Sequence, residues 1–174
     1  MRLQNWLLIG ILLLSGCGFH LRGSFVIPEG LKQLIVMPDD PYQPFQRQLR
    51  YTLKKRGIDI VAPGYKAPTL TIHDENYTQQ VLGLSPTGQA QQFRMSLNLS
   101  YSLKSIEGQE LRANTIRVSK DFSADPNTVL SNDSGISIYK QELQQEAILQ
   151  LIRQLTTIKA LHTQTEGVAT AEPN

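Results

Sequence analysis

The sequence predicts an α+β fold: a two-layer sandwich in which a mixed sheet of four or five strands carries two helices on one face. Three observations predict it. Phe93, Met95, Leu97, Leu99, Tyr101 and Leu103 alternate with Arg94, Ser96, Asn98, Ser100, Ser102 and Lys104. Period two over that length marks a long strand with one buried face and one wet face. Two other stretches repeat apolar residues at helical spacing, Phe45-Leu49-Leu53 and Ile148-Leu151-Ile152-Leu155-Ile158. Short apolar runs flank the first of these, giving strand, helix, strand, an order that favours a right-handed crossover and parallel pairing.

The elements follow in order. Residues 17–30 are short and turn-rich, a tether into the fold. Leu34 to Met37 is a buried strand stopped by Pro38. Asp40 to Pro44 carries turn and helix-start residues, and the helix runs through Leu53 to Lys54-Lys55-Arg56. Those cations suit the negative end of the helix dipole, and Gly57 is a natural C′ stop. Ile58 to Val61 is the second strand, and Thr69 to Leu82 the third. In the third, Leu70 and Ile72 lie on one parity, Tyr77 and Val81 on the other, which predicts a bulge near Asp74 to Asn76. Gly83 to Gly88 turns into the alternating strand, Glu107-Gly108 turns out of it, and Leu111 to Phe122 returns with Ile116, Val118 and Phe122 on one side. The three long strands are therefore consecutive and antiparallel. Asp125-Pro126-Asn127 breaks the sheet, and Asn132 to Gly135 reads as a second loop. The last helix is expected from Tyr139 to about Leu161, with glutamines covering the side away from its apolar stripe. One globular domain, 31–162, and a disordered tail, 163–174, complete the chain.

The N-terminus has its own chemistry. Met1-Arg2 is a basic start, Trp6 to Leu14 is apolar, and Leu14-Ser15-Gly16-Cys17 follows. Such a run is too short to remain as a membrane helix and has the layout of a secretory signal, residues 1–16. Cys17 is the chain's only cysteine. A thiolate there can accept a diacylglyceryl group, and cleavage between Gly16 and Cys17 frees an amine for a further acyl chain. Two or more chains hold a protein stably on a membrane. With Cys17 acylated, no thiol is left for a disulfide.

The composition and motifs argue against other chemistries. The formal charge is only +2, without the clustered basic charge of a nucleic-acid binder. His20, His73 and His162 lie far apart, at no metal-ligand spacing. No Gly-x-Ser-x-Gly, phosphate loop or HExxH occurs. Asp39-Asp40 and Asp74-Glu75 sit where turns and bulges use acids. No catalytic residues, no metal and no cofactor beyond the acyl groups on Cys17 are expected, and the sequence does not read as an enzyme.

Cys17-Gly18-Phe19-His20-Leu21-Arg22-Gly23 resembles the mature start of the LptE family of lipopolysaccharide-assembly lipoproteins. The order of elements, Asp125-Pro126, and Leu151-Ile152-Arg153-Gln154-Leu155 are similar too. The resemblance implies a lipoprotein on the periplasmic side of a Gram-negative outer membrane. It implies a plug inside the β-barrel LptD that assists lipopolysaccharide into the outer leaflet and binds it. Gly18 after the cysteine, rather than Asp, agrees with export to that membrane. The family's ligand-facing basic positions fall on Leu84-Ser85 and Asn132 here, so the nearest candidates for lipopolysaccharide phosphate are Arg117, Lys120, Arg94 and Lys104. Lys120 shares parity with Val118 and Phe122. A lipid-anchored scaffold of another envelope complex, or a lipid-anchored periplasmic enzyme, stays open at this point.

Cys17→Ser is expected to abolish acylation and leave the N-terminus unprocessed or processed elsewhere, checked by mass spectrometry of the membrane fraction. An acylated mature chain lacking Cys17 contradicts the assignment.

Overall fold

Each strand's neighbours are set by where its apolar face can be buried. The structure, a computed structural model, describes residues 27–123 and 133–158. The string Cys17 to Gly23, His20, Asp125 to Asn127, Asn132, His162 and the 163–174 tail lie outside the described residues.

A 3-10 turn, Glu29–Leu31, places Leu31 in the core and leads into β1 (Gln33–Met37). Helix α1 (Pro44–Lys55) crosses over to β2 (Asp59–Ile60), which pairs parallel with β1. Then come β3 (Thr69–Leu84), β4 (Ala90–Lys104), β5 (Glu110–Ser123) and helix α2 (Asp133–Thr156). The sheet order is β2-β1-β3-β4-β5, with β1 parallel to β3 and the three long strands antiparallel. This is the expected mixed sheet, five strands rather than four.

Local chemistry explains the boundaries. Pro44 opens α1 at the one place where a missing N–H costs nothing. Before it, the Asp40 carboxylate accepts from the Tyr42 amide at 2.9 Å, the turn role expected of it. Gly57, at φ 81°, ends the helix, and the Ile58 amide donates back to the Leu53 carbonyl at 3.1 Å. The two long hairpins close with the same device. In Ser85 to Gln89 and in Ser105 to Gln109, the serine amide donates to the glutamine carbonyl at 2.7 Å, and a glycine with positive φ completes the turn.

The core is one cluster between sheet and helices. β4 contributes Met95, Leu97, Leu99, Tyr101 and Leu103, flanked by Leu70 and Ile72 of β3 and Ile116 and Val118 of β5. Phe45, Leu49 and Leu53 of α1 and Leu143, Ala147, Ile148, Leu151, Ile152 and Leu155 of α2 close over them. Both helices thus enter the same face. At one end the core thins into an aromatic stack: the Phe93 and Phe122 rings lie 5.5 Å apart, and Phe122 and Tyr139 4.3 Å apart.

The structure departs from expectation in three places. The parity change in β3 is present, but the register shifts at His73, between Ile72 and Asp74, one residue before the expected stretch. A second irregularity, around Gly83, had no apolar pattern to announce it. Helix α2 begins at Asp133, not Tyr139, and ends at Thr156, not Leu161, although Ile158 beyond it remains buried. Asp and Ser signal loops and helix starts alike. The helix extends back because Ile136 and Tyr139 pack against the core.

β1 leaves β3 at Met37, opposite Thr71. Beyond that point, among the described residues, β3 has a strand neighbour only on the β4 side. Sixteen residues of strand span about 50 Å, so the distal hairpin projects as an arm. Val81, Leu82 and Leu84 are exposed on it, and no charged residue occurs between Glu75 and Arg94.

Leu99 is fully buried at the centre of β4. Leu99→Ala is expected to cost about 2–5 kcal/mol, and Leu99→Asp, which buries an unpaired carboxylate, to abolish the cooperative transition. Urea unfolding followed by circular dichroism checks both. A parental midpoint for the aspartate variant would contradict the face assignment.

Candidate functional site

The alternation that buries one side of β4 sends Arg94, Ser96, Asn98 and Ser100 to the other, opposite Asp121, Ser119, Arg117 and Thr115 of β5. No described helix covers this open face. Its side chains bond across the strands in rungs. Ser96 and Ser119 hydroxyls meet at 2.9 Å, Ser100 and Thr115 at 3.0 Å, and Arg117 Nε donates to Asn98 Oδ1 at 2.6 Å. Nearer the other end, His73 Nε2 and Ser102 Oγ are 2.8 Å apart.

The four basic candidates do not converge. Arg94 donates from two guanidinium nitrogens to both Asp121 oxygens, at 2.7 and 2.8 Å. Arg117 shares the open face but lies opposite Asn98, four residues along β4 and so about 13 Å from Arg94. Lys120 sits opposite Met95 on the helix side, as its parity requires. It reaches the rim, pairs with Glu142 of α2, and its ammonium lies 5.8 Å from the Tyr139 ring centre. Lys104 is exposed at the opposite end of β4, beside Thr69 and Glu110. Arg117 is thus the candidate whose partner is a neutral amide, whereas Arg94 and Lys120 already carry an acid each.

Electrostatics on the open face are local. The Arg94 guanidinium, through its hydrogen bond first and its charge second, holds the Asp121 carboxyl below the usual carboxylate range. On the helix side, burial followed by the adjacent Glu75 pushes the Tyr77 hydroxyl well above its ordinary value. Tyr77 donates to Glu75 Oε1 at 2.6 Å, and Gln144 of α2 donates to the same oxygen at 2.9 Å. Glu75 therefore clasps helix to sheet, where a bulge role alone was expected. Gln154 makes a second clasp, accepting from Tyr101 at 2.6 Å and from Asn114 at 3.1 Å. The glutamines of α2 do not all cover its outer side: Gln144 and Gln154 face the sheet. The readable signal was a polar residue at a position that the bulge returns to the buried side.

Between α1 and α2 runs an open groove of about 650 Å³, lined by Arg47, Gln48, Tyr51, Gln141, Glu142 and Gln145 among others. Among the described residues, no three His, Cys, Asp or Glu come together to hold a metal ion. No described helix is long and apolar enough to cross a membrane.

A mixed sheet with both described helices on one face makes this a two-layer α+β domain, a fold shared with solved bacterial lipoproteins. A rare lipoprotein B from Shewanella oneidensis superposes with TM-score 0.60 over 70% of this chain and 94% of that one, at 22% identity. An uncharacterized lipoprotein B from Nitrosomonas europaea superposes with TM-score 0.66 over 85% and 96%, at 18% identity. The family model described as LptE, Lipopolysaccharide-assembly, matches residues 31–155. LPS-assembly lipoproteins LptE of Yersinia pestis and Yersinia pseudotuberculosis are 30% identical over 154 residues, covering 87% of this chain and 74% of theirs. The chain belongs to the LptE family.

The Asp121–Arg94 pair sets a pH dependence. A carboxyl with a depressed folded value contributes stability above its unfolded value of about 3.9 and loses it as pH falls through the folded one. In an NMR titration, the Asp121 carboxyl is expected to have its midpoint below 3.9 by this logic, and Arg94→Gln to return it to the ordinary range. An unshifted midpoint in the parent removes the pairing.

Proposed function

We propose that this chain is a non-enzymatic plug of an LptD β-barrel in the outer membrane. In this reading it is held on the periplasmic side by diacylglyceryl and N-acyl groups on Cys17, and it assists the delivery of lipopolysaccharide to the outer leaflet while contacting it. Membership of the LptE family, matched over residues 31–155, carries this reading.

Physical features support it. The lumen of a large barrel is polar, and an occupant must present a surface that stays wetted. The rungs of Ser96, Asn98 and Ser100 with β5 provide one. Chain entry at Ile27 lies at the end where β1 begins, and the hairpin tip lies at the other. The whole of β3, about 50 Å, is longer than the ~30 Å hydrocarbon layer. A molecule tethered at one leaflet therefore reaches the level of the other. For lipopolysaccharide phosphate, Arg117 on the open face is the best-placed of the four cations, since the group it donates to, Asn98, is a neutral amide.

A detergent pull-down of the chain from its native outer membrane is expected to recover LptD, and depletion of the chain to leave the barrel misassembled and surface lipopolysaccharide reduced. Normal barrel assembly in depleted cells refutes the plug role. Arg117→Glu is expected to lower lipopolysaccharide retention several-fold while stability changes by no more than about 0.5 kcal/mol. Unchanged retention removes Arg117 from the ligand contact and leaves the plug role standing.

A further inference from the structure

We propose that the border of β3 left free by β1 is a docking surface for a second copy of this chain, which adds its own β3 antiparallel and closes a two-fold pair. The inference does not rest on the plug reading. Seating in a lumen and pairing are alternatives, and the pair is a form of the unseated chain.

From Asn76 to Leu82, among the described residues, β3 is paired on the β4 side alone. The run Asn-Tyr-Thr-Gln-Gln-Val-Leu holds no charge, no proline and no glycine. Backbone donors and acceptors along such an edge are a template for another strand. Thr78 to Leu82 are all exposed, Val81 by 49% and Leu82 by 41%, so apolar surface is there to be covered as well. The border along β5 differs. It carries charges of both signs from Glu110 to Asp121, which oppose the same kind of annealing. One border invites a strand and the other repels it, so association stops at two.

The occupant follows from what can offer a complementary edge. A closed barrel has none, because each of its strands is already paired on both sides. A second copy carries one by construction, and use of the same patch on both copies closes the assembly. Symmetry sets the register. A two-fold axis normal to the sheet and centred on Gln79 sets Tyr77 opposite the partner's Val81, Thr78 opposite the partner's Gln80, and Asn76 opposite the partner's Leu82. Tyr77 and Val81 lie on the helix side of the sheet, level with Leu97 and Phe93 of β4. An aromatic ring there meets an exposed branched side chain, a favourable cross-strand pair. Thr78 and Gln80 lie on the open side, level with Ser96 and Arg94. In this register the partner's hairpin ends short of Thr71, the last residue of β3 that β1 occupies. The partner and β1 thus share one border end to end.

The experiment uses the full chain in its membrane, produced in excess of any barrel, with Gln79→Cys as reporter and the parent as control. Directly opposed residues of antiparallel strands stand about 4.5–5.5 Å apart at Cα, within reach of a disulfide. With an added oxidant, Gln79→Cys is expected to give a disulfide-linked dimer on a non-reducing gel and the parent none. The yield is expected to be the same at low and high salt, since the border is uncharged. Adding Thr78→Lys/Gln80→Lys sets lysine opposite lysine twice across the axis and is expected to lower the linked fraction several-fold. Adding Thr78→Lys/Gln80→Glu instead sets opposite charges across the same two pairs and is expected to restore it. Both positions are exposed, so all variants are expected to melt like the parent. No linked dimer from Gln79→Cys overturns the proposal. So does a dimer that survives both lysines, which marks chance collision in the membrane, and so does a loss that the glutamate does not restore. Linkage of the reporter to a barrel in place of a second copy also overturns it, because the border then belongs to that partner.

Discussion

From Gln92 to Lys104 β4 is paired on both sides, to β3 and to β5, and its helix-facing side chains occupy the middle of the core. A slip of one residue would turn Met95, Leu97, Leu99, Tyr101 and Leu103 into water and bury Ser96, Asn98 and Ser100 beneath the helices. The pairing is therefore specified by the cost of exposing five large side chains at once. The other elements depend on it. The two helices need that apolar floor, and the open face has its rungs of hydroxyl and amide pairs only because the opposite side is committed. The two Ser-to-Gln turns hold the register at both ends of the strand.

What could be read before folding, and what could not, divides along this line. Period-two alternation in Phe93 to Leu103 is a direct image of one buried face, and the stripes of α1 and α2 are images of another, so architecture and order were legible. The bulge at His73 was legible as a change of parity because Leu70, Ile72 and Tyr77 are all large. The irregularity near Gly83 was not, since both faces of the arm are wet there and carry no pattern to break. The start of α2 was hidden because Asp and Ser serve loops and caps equally, and only the packing of Ile136 and Tyr139 decides between them. Lys120 was legible as being on the helix side, but its partner Glu142 comes from an element more than twenty residues later. The inward-facing Gln144 and Gln154 were missed for the same reason: an amide looks like surface until a Glu75 or a Tyr101 is seen opposite it.

The molecule has two unlike ends. One gathers the chain entry, the basic end of α1 and the C-terminal end of α2. The other is the hairpin tip, which carries no charge. Glu75 with Gln144, and Tyr101 with Gln154, lie between them and fasten α2 to the long strands at two levels. A force or ligand acting at one end is thus met by a braced body, not by a loose ribbon. The charged groups along the body are mostly spent on each other, Arg94 with Asp121 and Lys120 with Glu142, so the polarity of the molecule comes from its ends.

The two borders of the sheet are also unlike. Along β5 run Glu110, Arg112, Arg117, Lys120 and Asp121, and charges of this kind keep one sheet from annealing to another. Along the part of β3 that β1 abandons there is no such guard: from Asn76 to Leu84 the strand is neutral, free of proline, and among the described residues has no strand on its outer side. Such a border is a template for any strand that meets it, another copy included. An unassembled molecule is accordingly a hazard to itself. Whatever lies along that border in the assembled state removes the hazard by occupying its free amides and carbonyls.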